Sequence, residues 1–503
     1  MSTKVSQTRR HFLKKLTYST GAIGLLGTPF INTVLAASPL RPFQVPPLAS
    51  AVRNGNKVSF DLTIQQGESE FSPGRMTQTL GYNENYLGPM LRVRRGDIVS
   101  IKTTNTLNFD STVHWHGMIL PAKMDGGPHQ IIQPGSSMVS EFEIIQPAST
   151  LFYHSHAYHH TAEQVYFGLA GPLIIDDEQS DSLALPQEYG VDDLPVIIQD
   201  RDFNDNGSFR YISMMPERMI GKHGSTVMVN GVISPLLKAQ KTLLRLRITN
   251  ASNARFYKLA FNDAHPFQVI ASDGGLLEKP ITVDQLDMAP AERFEILVNV
   301  SNKNQLILQG LQGAGNTNHG PMRMMGMDQK MDIMFIDASD AKQAQHSGPQ
   351  TLTQFEDWSS VDIAANRNLS LGMSMMGMMG GMMGRGNTPG EGFTINGQSM
   401  DMERVDFRLK KNTFETWNIS NNSPMFHPVH IHNTQFRVLS RDGRAPSALE
   451  AGFKDTVVVA PSETVKVLVP TGPYSDPEGY YMHHCHILEH EDGGMMGQFV
   501  VED

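Results

Sequence analysis

The sequence predicts an all-β chain of three similar β-sandwich domains, and three observations carry that prediction. After Pro46, short runs of alternating apolar and polar residues such as 58–64 (VSFDLTI) are separated by Gly, Pro, Asn and Asp turn signals. Long helical periodicity is scarce. One pattern recurs three times along the chain, whose 503 residues are too many for a single core.

Residues 1–36 read as an address label. TRRHFLK at 8–14 is a twin-arginine pattern, followed by a mildly apolar run and by small residues at Ala36 and Ala37. The run is too short and glycine-rich to span a bilayer as a mature helix. A chance Arg-Arg pair is the plainer explanation, but Phe12, Leu13 and Lys14 favour export to the periplasm by the twin-arginine machinery, with no membrane anchor in the mature form. Net charge is −10, and Lys4, Arg9, Arg10, Lys14 and Lys15 all lie in this leader, so the mature surface is more acidic still. Such a surface argues against nucleic acid and is compatible with cations. Cys485 is the only cysteine, which excludes an intramolecular disulfide and leaves the fold to packing and metal.

The repeated pattern sets the domains. Residues 88–108, 229–252 and 395–423 each run from an Asn or Gly turn through a strand pair to an Asn-rich corner. Each is followed by a second block, HWHGMILPAKMDGG, HPFQVIASDGG or HPVHIHNTQFRVLSRDG, and later by an apolar strand with an acidic end, GPLIIDD, MDIMFIDAS or GQFVVED. Domains are expected over 40–180, 190–340 and 350–503. The middle one keeps only His265 in its second block and reads as a spacer without metal ligands.

Residues 483–496 (HHCHILEHEDGGMM) gather the cysteine with four histidines and two methionines. On a strand, His484 and His486 would point one way and Cys485 the other, so one strand can serve two metal sites. His490 and Met495 follow at spacings that a turn can return to the sulfur. Thiolate, imidazole and a weak methionine are blue-copper ligands, and that site needs a second imidazole. Elsewhere the chain carries His114-Trp115-His116, His154-Ser155-His156 and His430-Ile431-His432, each pair facing one side of a probable strand. Four such pairs among 19 histidines place a second centre where the first and third domains meet. His427 is offset from the His430/His432 face and supplies the missing imidazole, giving a blue site of His427, Cys485, His490 and Met495. His129, His159, His160 and His483 are either surface residues or extra copper ligands, and the surface reading is preferred.

HWHG, HSH, HPVHIH and HCHILEHEDGGMM together resemble the three-domain multicopper oxidases, most closely the bacterial periplasmic cuprous oxidases of the CueO type, over essentially the whole chain after the leader. The resemblance implies three cupredoxin-like Greek-key domains and four copper ions: type 1 at the four residues above, type 2 at His114 and His430, and a type 3 pair at His116, His154, His156, His432, His484 and His486. It also implies reduction of dioxygen to water, with Asp125 and Glu491 as proton-handling acids. Asp125 alternatively caps a Gly-Gly turn.

Residues 373–383 (MSMMGMMGGMM) hold seven methionines and 322–334 six more. Thioethers select Cu(I), and the glycine-interleaved stretch has no periodic apolar face to bury. It is read as a copper-gathering loop, with Met373 and Met425 matching the substrate-copper methionines of the cuprous oxidases. Ser423 stands where those enzymes place a carboxylate. The expected activity is Cu(I) oxidation in copper tolerance, with an additional labile substrate copper. The alternatives are a laccase-like oxidase of phenols or aromatic amines and a non-catalytic periplasmic copper-binding scaffold.

Overall fold

The computed structural model describes residues 40–312, 330–373 and 392–503. The predicted leader, the methionine-rich stretch after Met373 and residues 322–329 of the earlier run lie outside them. Among the described residues no helix is long and apolar enough to cross a membrane.

The all-β expectation holds: six sheets carry the chain, arranged as cupredoxin-like sandwiches. Residues 52–176 form a five-stranded sheet around Lys57–Ser72 and Ile98–Asn105, and a four-stranded sheet ordered Leu91–Arg94, Ala170–Asp176, Ser149–His154, His114–His116. Strand Lys57–Ser72 shows why: Val58, Phe60, Leu62 and Ile64 are buried while Lys57, Ser59 and Asp61 are exposed, the period-two pattern of a half-buried strand. Residues 193–337 supply a seven-stranded and a six-stranded sheet, and Arg41–Pro42 adds a parallel edge to the latter by pairing with Pro235 and Leu236. Residues 363–502 supply two five-stranded sheets.

Each pair of sheets closes over its own apolar cluster. Phe60, Leu62, Trp115 and Tyr153 lie in the first, Leu246, Ile248, Phe294 and Ile296 in the second, and Trp417, Val429, Tyr481 and Phe499 in the third. The strand from Asp193 to Arg201 is buried at every position, so its middle, residues 194–198, runs apolar without alternation while Asp193, Asp200 and Arg201 are buried at its ends. Helices are few and short. Thr161–Phe167 and Leu488–Asp492 matter most here, because they pack against each other beside the histidine motifs.

Candidate metal centre

Cross-strand register gathers the histidines. His114 lies opposite His154 across the antiparallel pair His114–His116 and Ser149–His154. His430 lies opposite His484, and Val429 opposite Cys485, across His427–Ile431 and Asp476–Cys485. Opposed residues on one face sit a few ångströms apart, so each pairing joins two HxH motifs. His156, His432 and His486 follow one or two residues beyond the strand ends. The strand carrying His484 stops at Cys485, one residue short of His486, and the residues after Ile487 turn into the helix Leu488–Asp492 that carries His490.

The four histidines of the first sandwich and the four of the third meet as one buried cluster. His156 Nε2 and His432 Nε2 each lie 3.2 Å from His484 Nε2. His116 Nδ1 lies 3.4 Å from His154 Nε2, with the His486 ring 5.0 and 5.2 Å away from the two. His114 and His430 stack on His432 and His116 at 4.0 and 3.7 Å.

Partners on the far side of six of the rings fix their tautomers. His432 Nδ1–H donates to Asp125 Oδ2 at 2.7 Å, and His114 Nδ1–H to the Asp125 carbonyl at 2.9 Å. His154 and His484 donate from Nδ1 to the Ser155 and Cys485 carbonyls at 2.8 and 3.1 Å. Glu491 lies 3.2 Å from both His156 Nδ1 and His484 Nδ1. Lone pairs therefore point inward, at one another. His114 Nε2, His430 Nε2, His156 Nδ1 and both nitrogens of His486 are buried without a hydrogen-bond partner, and Glu491 faces His156 without bonding it.

Burial, then neighbouring imidazoles, holds His154, His156, His432 and His486 well below the ordinary histidine range, and burial lowers His430 to about 4. Neutral rings with convergent, unpartnered lone pairs are costly when empty and are what a metal ion requires. The donor set fits copper.

On the opposite face of the same strand, Cys485 Sγ lies 3.3 Å from His427 Nδ1 and 3.7 Å from His490 Nδ1, and the two nitrogens are 3.4 Å apart. Ser423 Oγ accepts from His427 Nε2–H at 2.6 Å, and the Met219 carbonyl accepts from His490 Nε2–H at 3.0 Å, so both rings turn their Nδ1 lone pairs to the sulfur. Met495 is fully buried, its carbonyl accepting from Cys485 N–H and its own N–H donating to the His490 carbonyl. Burial raises the Cys485 thiol, so bound metal is needed to form the thiolate. Met425 is buried and Met373 half-buried in the apolar cluster that also holds Cys485, Met495 and Phe393, whose ring stacks on His490 at 4.3 Å.

The four histidines expected at the surface fare differently. His159 and His160 are exposed. His483 is buried, because alternation along its strand turns it with Tyr481 and Cys485 into the apolar core, where it meets Phe407, Trp417 and Phe499. His129 is half-buried, bonded to Gln498 and stacked on Tyr480. His265 bonds the Asn299 carbonyl and belongs to neither centre. Sequence reasoning missed Asp455, whose carboxylate lies 3.1 Å from His116 Nε2 and whose carbonyl accepts from His430 Nδ1–H at 2.9 Å. Burial works against its charge, but the Arg293 guanidinium overcomes that and holds the carboxyl well below the usual range.

Cupredoxin-like sandwiches carrying a buried thiol–imidazole centre and an eight-histidine centre, joined through the strand Asp476–Cys485, define the class of multidomain copper oxidases. Multicopper oxidase models match residues 63–180, 213–322 and 373–503. The multicopper oxidase mco of Staphylococcus aureus is 37% identical over 452 residues, 89% of each chain. A solved laccase-like multi-copper oxidase CueO from Ochrobactrum sp., described as active towards lignin model compounds and lignosulfonate, superposes with a TM-score of 0.83 at 32% identity, over 92% of this chain and 100% of that one. The cell division protein FtsP of Escherichia coli (strain K12) is 32% identical over 506 residues, 99% of each. The chain belongs to the multicopper oxidase family. Membership implies copper as the metal and supports an oxidase activity with oxygen as acceptor.

Proposed function

We propose that this chain is a periplasmic cuprous oxidase, exported by the twin-arginine route, that couples one-electron oxidation of Cu(I) to the four-electron reduction of dioxygen to water in copper tolerance. The observation that carries it is the packing of Met373 and Met425 in the apolar cluster that also holds Cys485, with Met373 opposite Phe393, whose ring stacks on His490. Soft thioethers beside an electron-accepting centre favour a Cu(I) donor.

In this reading His427, Cys485, His490 and Met495 hold type 1 copper. His114 and His430 hold type 2, and His116, His154, His156, His432, His484 and His486 hold the type 3 pair. The unpartnered Nε2 atoms of His114 and His430 and the three facing Nε2 atoms of His156, His432 and His484 support that division. The three sandwiches are read as domains over 40–180, 190–340 and 350–503, the middle one without copper ligands. When bound, the copper supplies one-electron transfer and oxygen reduction.

The residues do the rest. Cys485 joins the centres covalently, because its neighbours His484 and His486 belong to the histidine cluster while its sulfur faces His427. Asp125 and Glu491 place carboxylates against the imidazole edges, where oxygen reduction consumes protons. Burial of every ligand excludes bulk water from both centres.

A laccase-like oxidase of phenols is favoured by one observation: the buried side chain hydrogen-bonded to His427 is Ser423, which offers a substrate cation no carboxylate. Oxygen uptake with Cu(I) and with a simple phenol, comparing the intact chain with one lacking residues 373–383, separates the readings. Faster uptake with Cu(I), lost on deletion, supports the cuprous oxidase. Dominant phenol oxidation that survives deletion supports the laccase. A copper-loaded chain that takes up no oxygen with either donor leaves a non-catalytic scaffold.

A further inference from the structure

The middle sandwich was expected to be a spacer, yet its strand Arg293–Asn299 begins with a side chain that reaches the histidine cluster. Arg293 is fully buried. Its Nη1 donates to Asp455 Oδ1 at 2.7 Å, and Nη2 donates to Asp455 Oδ2. The same guanidinium donates from Nε to the Thr150 carbonyl of the first sandwich at 3.1 Å, and from Nη1 and Nη2 to the Ala291 and Asp273 carbonyls at 3.0 and 3.1 Å. One planar group thus spans all three sandwiches, a task that suits the rigid donor fork of arginine and not the single ammonium of lysine.

Asp455 passes this order on. Its Oδ1 accepts from His116 Nε2–H at 3.1 Å, so the ring turns Nδ1 towards His154 Nε2. Its carbonyl accepts from His430 Nδ1–H at 2.9 Å, which leaves His430 Nε2 bare. Gln435 Nε2 closes the arrangement by donating to Asp455 Oδ2 at 3.0 Å and to the Gly117 carbonyl at 2.8 Å. Gly117 is required there: its φ is +86°, and a Cβ would stand 2.6 Å from Asp455 Oδ2. His116, His430 and Asp455 also lie close enough to form a metal site by themselves. That alternative is disfavoured, because Arg293, Gln435 and Thr456 already occupy the carboxylate and the His430 nitrogen facing it carries the proton.

We propose that Arg293 of the middle sandwich is a positioning residue for the histidine centre, acting through Asp455 to select the ligating nitrogens of His116 and His430. The proposal rests on the assignment of copper to that cluster. It makes the middle sandwich a working part of the centre without giving it a ligand.

The test compares Arg293→Met, Arg293→Lys and Asp455→Asn with the wild-type full-length chain, each loaded with copper. Retention of copper against a graded chelator, the electron paramagnetic resonance of the non-blue copper and the blue absorption of the thiolate centre are read together. Loss of an outer partner weakens metal retention by about 10- to 100-fold. The expected result is a weakening of that size at the histidine centre with an altered resonance signal, in all three variants, while the blue absorption is unchanged. If Arg293→Met does not fold, Arg293→Lys keeps the charge and Asp455→Asn keeps the shape, and the same readings apply to them. Wild-type retention and an unaltered signal in the folded variants would overturn the proposal. So would parallel loss at both centres, which would make Arg293 a general strut between sandwiches. A wild-type chain holding copper only at the thiolate would instead overturn the copper assignment of the cluster, a separate failure.

Discussion

At Ser423 a single hydroxyl decides how His427 faces the sulfur. It accepts the buried Nε2–H at 2.6 Å, and removing it leaves that donor without a partner. Ser423→Ala should lower the stability of the metal-free chain by about 1 to 3 kcal/mol, the cost of one orphaned buried polar group. Urea unfolding checks it, and an unchanged midpoint would mean that water replaces the hydroxyl. Asp125 carries a different kind of load. It fixes His432 by its side chain and His114 by its main chain, and it is fully buried against both. Asp125→Asn keeps an acceptor for His432 but not an acid, so blue absorption should persist while oxygen uptake slows by roughly 10²- to 10⁴-fold. Uptake at the wild-type rate would leave Asp125 as an anchor for imidazoles only. These residues differ in how legible they were. The copper-ligand candidates stood out because HxH and HCH spacing is local to a strand. Asp455 and Arg293 did not, because their partnership spans 162 residues and neither sits in a motif. Ser423 was visible only as a missing carboxylate; its hydrogen bond depends on how the ring turns.

Between elements, ion pairs join the third sandwich to the middle one. Lys454, just before the strand Thr456–Val459, is buried with its ammonium 2.9 Å from Asp273 and 3.0 Å from Glu292. Burial disfavours its charge, but the two carboxylates outweigh that and raise its pKa. Lys454→Met would take the ammonium from two buried carboxylates, leaving Asp273 to Arg293 and Glu292 to the Ala289 N–H, and breaking such a buried network costs about 3 to 5 kcal/mol. A fall of that size in unfolding free energy, with the blue absorption intact in the folded fraction, is the expected outcome; a neutral effect would mean the carboxyls take up protons at little cost. At this scale the alternating strands were readable because their burial has period two. Less readable was where a strand ends. His486 lies beyond its strand and His490 on a helix of a single turn, because the chain turns away after Cys485 to bring Met495 back beside it. The burial of His483 follows from the same alternation that placed His484 and Cys485, and could have been read from it.

Taken whole, the molecule stores many neutral imidazoles in a dry interior, and that gives its stability a pH signature. In the metal-free chain His430 is lowered to about 4 and His490 to about 3, in each case first by burial, and His116, His154, His156, His427, His432 and His486 also lie well below their ordinary value. The unfolded chain accepts protons near pH ~6.5, where the folded one does not. The histidine contribution to stability is therefore fully present above that pH. It is lost as pH falls through the window down to the folded values, by about 1.4 kcal/mol per pH unit for each ring. Asp455, lowered with the help of Arg293, adds its own loss at more acid pH. Copper binds the same lone pairs that protons seek, so the loaded protein should keep its stability to lower pH until the metal is displaced. Urea midpoints of metal-free and copper-loaded protein between neutral pH and about pH 4 test this. The metal-free curve should fall steeply and the loaded curve should stay flat before dropping. Two parallel flat curves would mean that the imidazoles are hydrated rather than buried, and that the sandwiches stand apart where the structure packs them together.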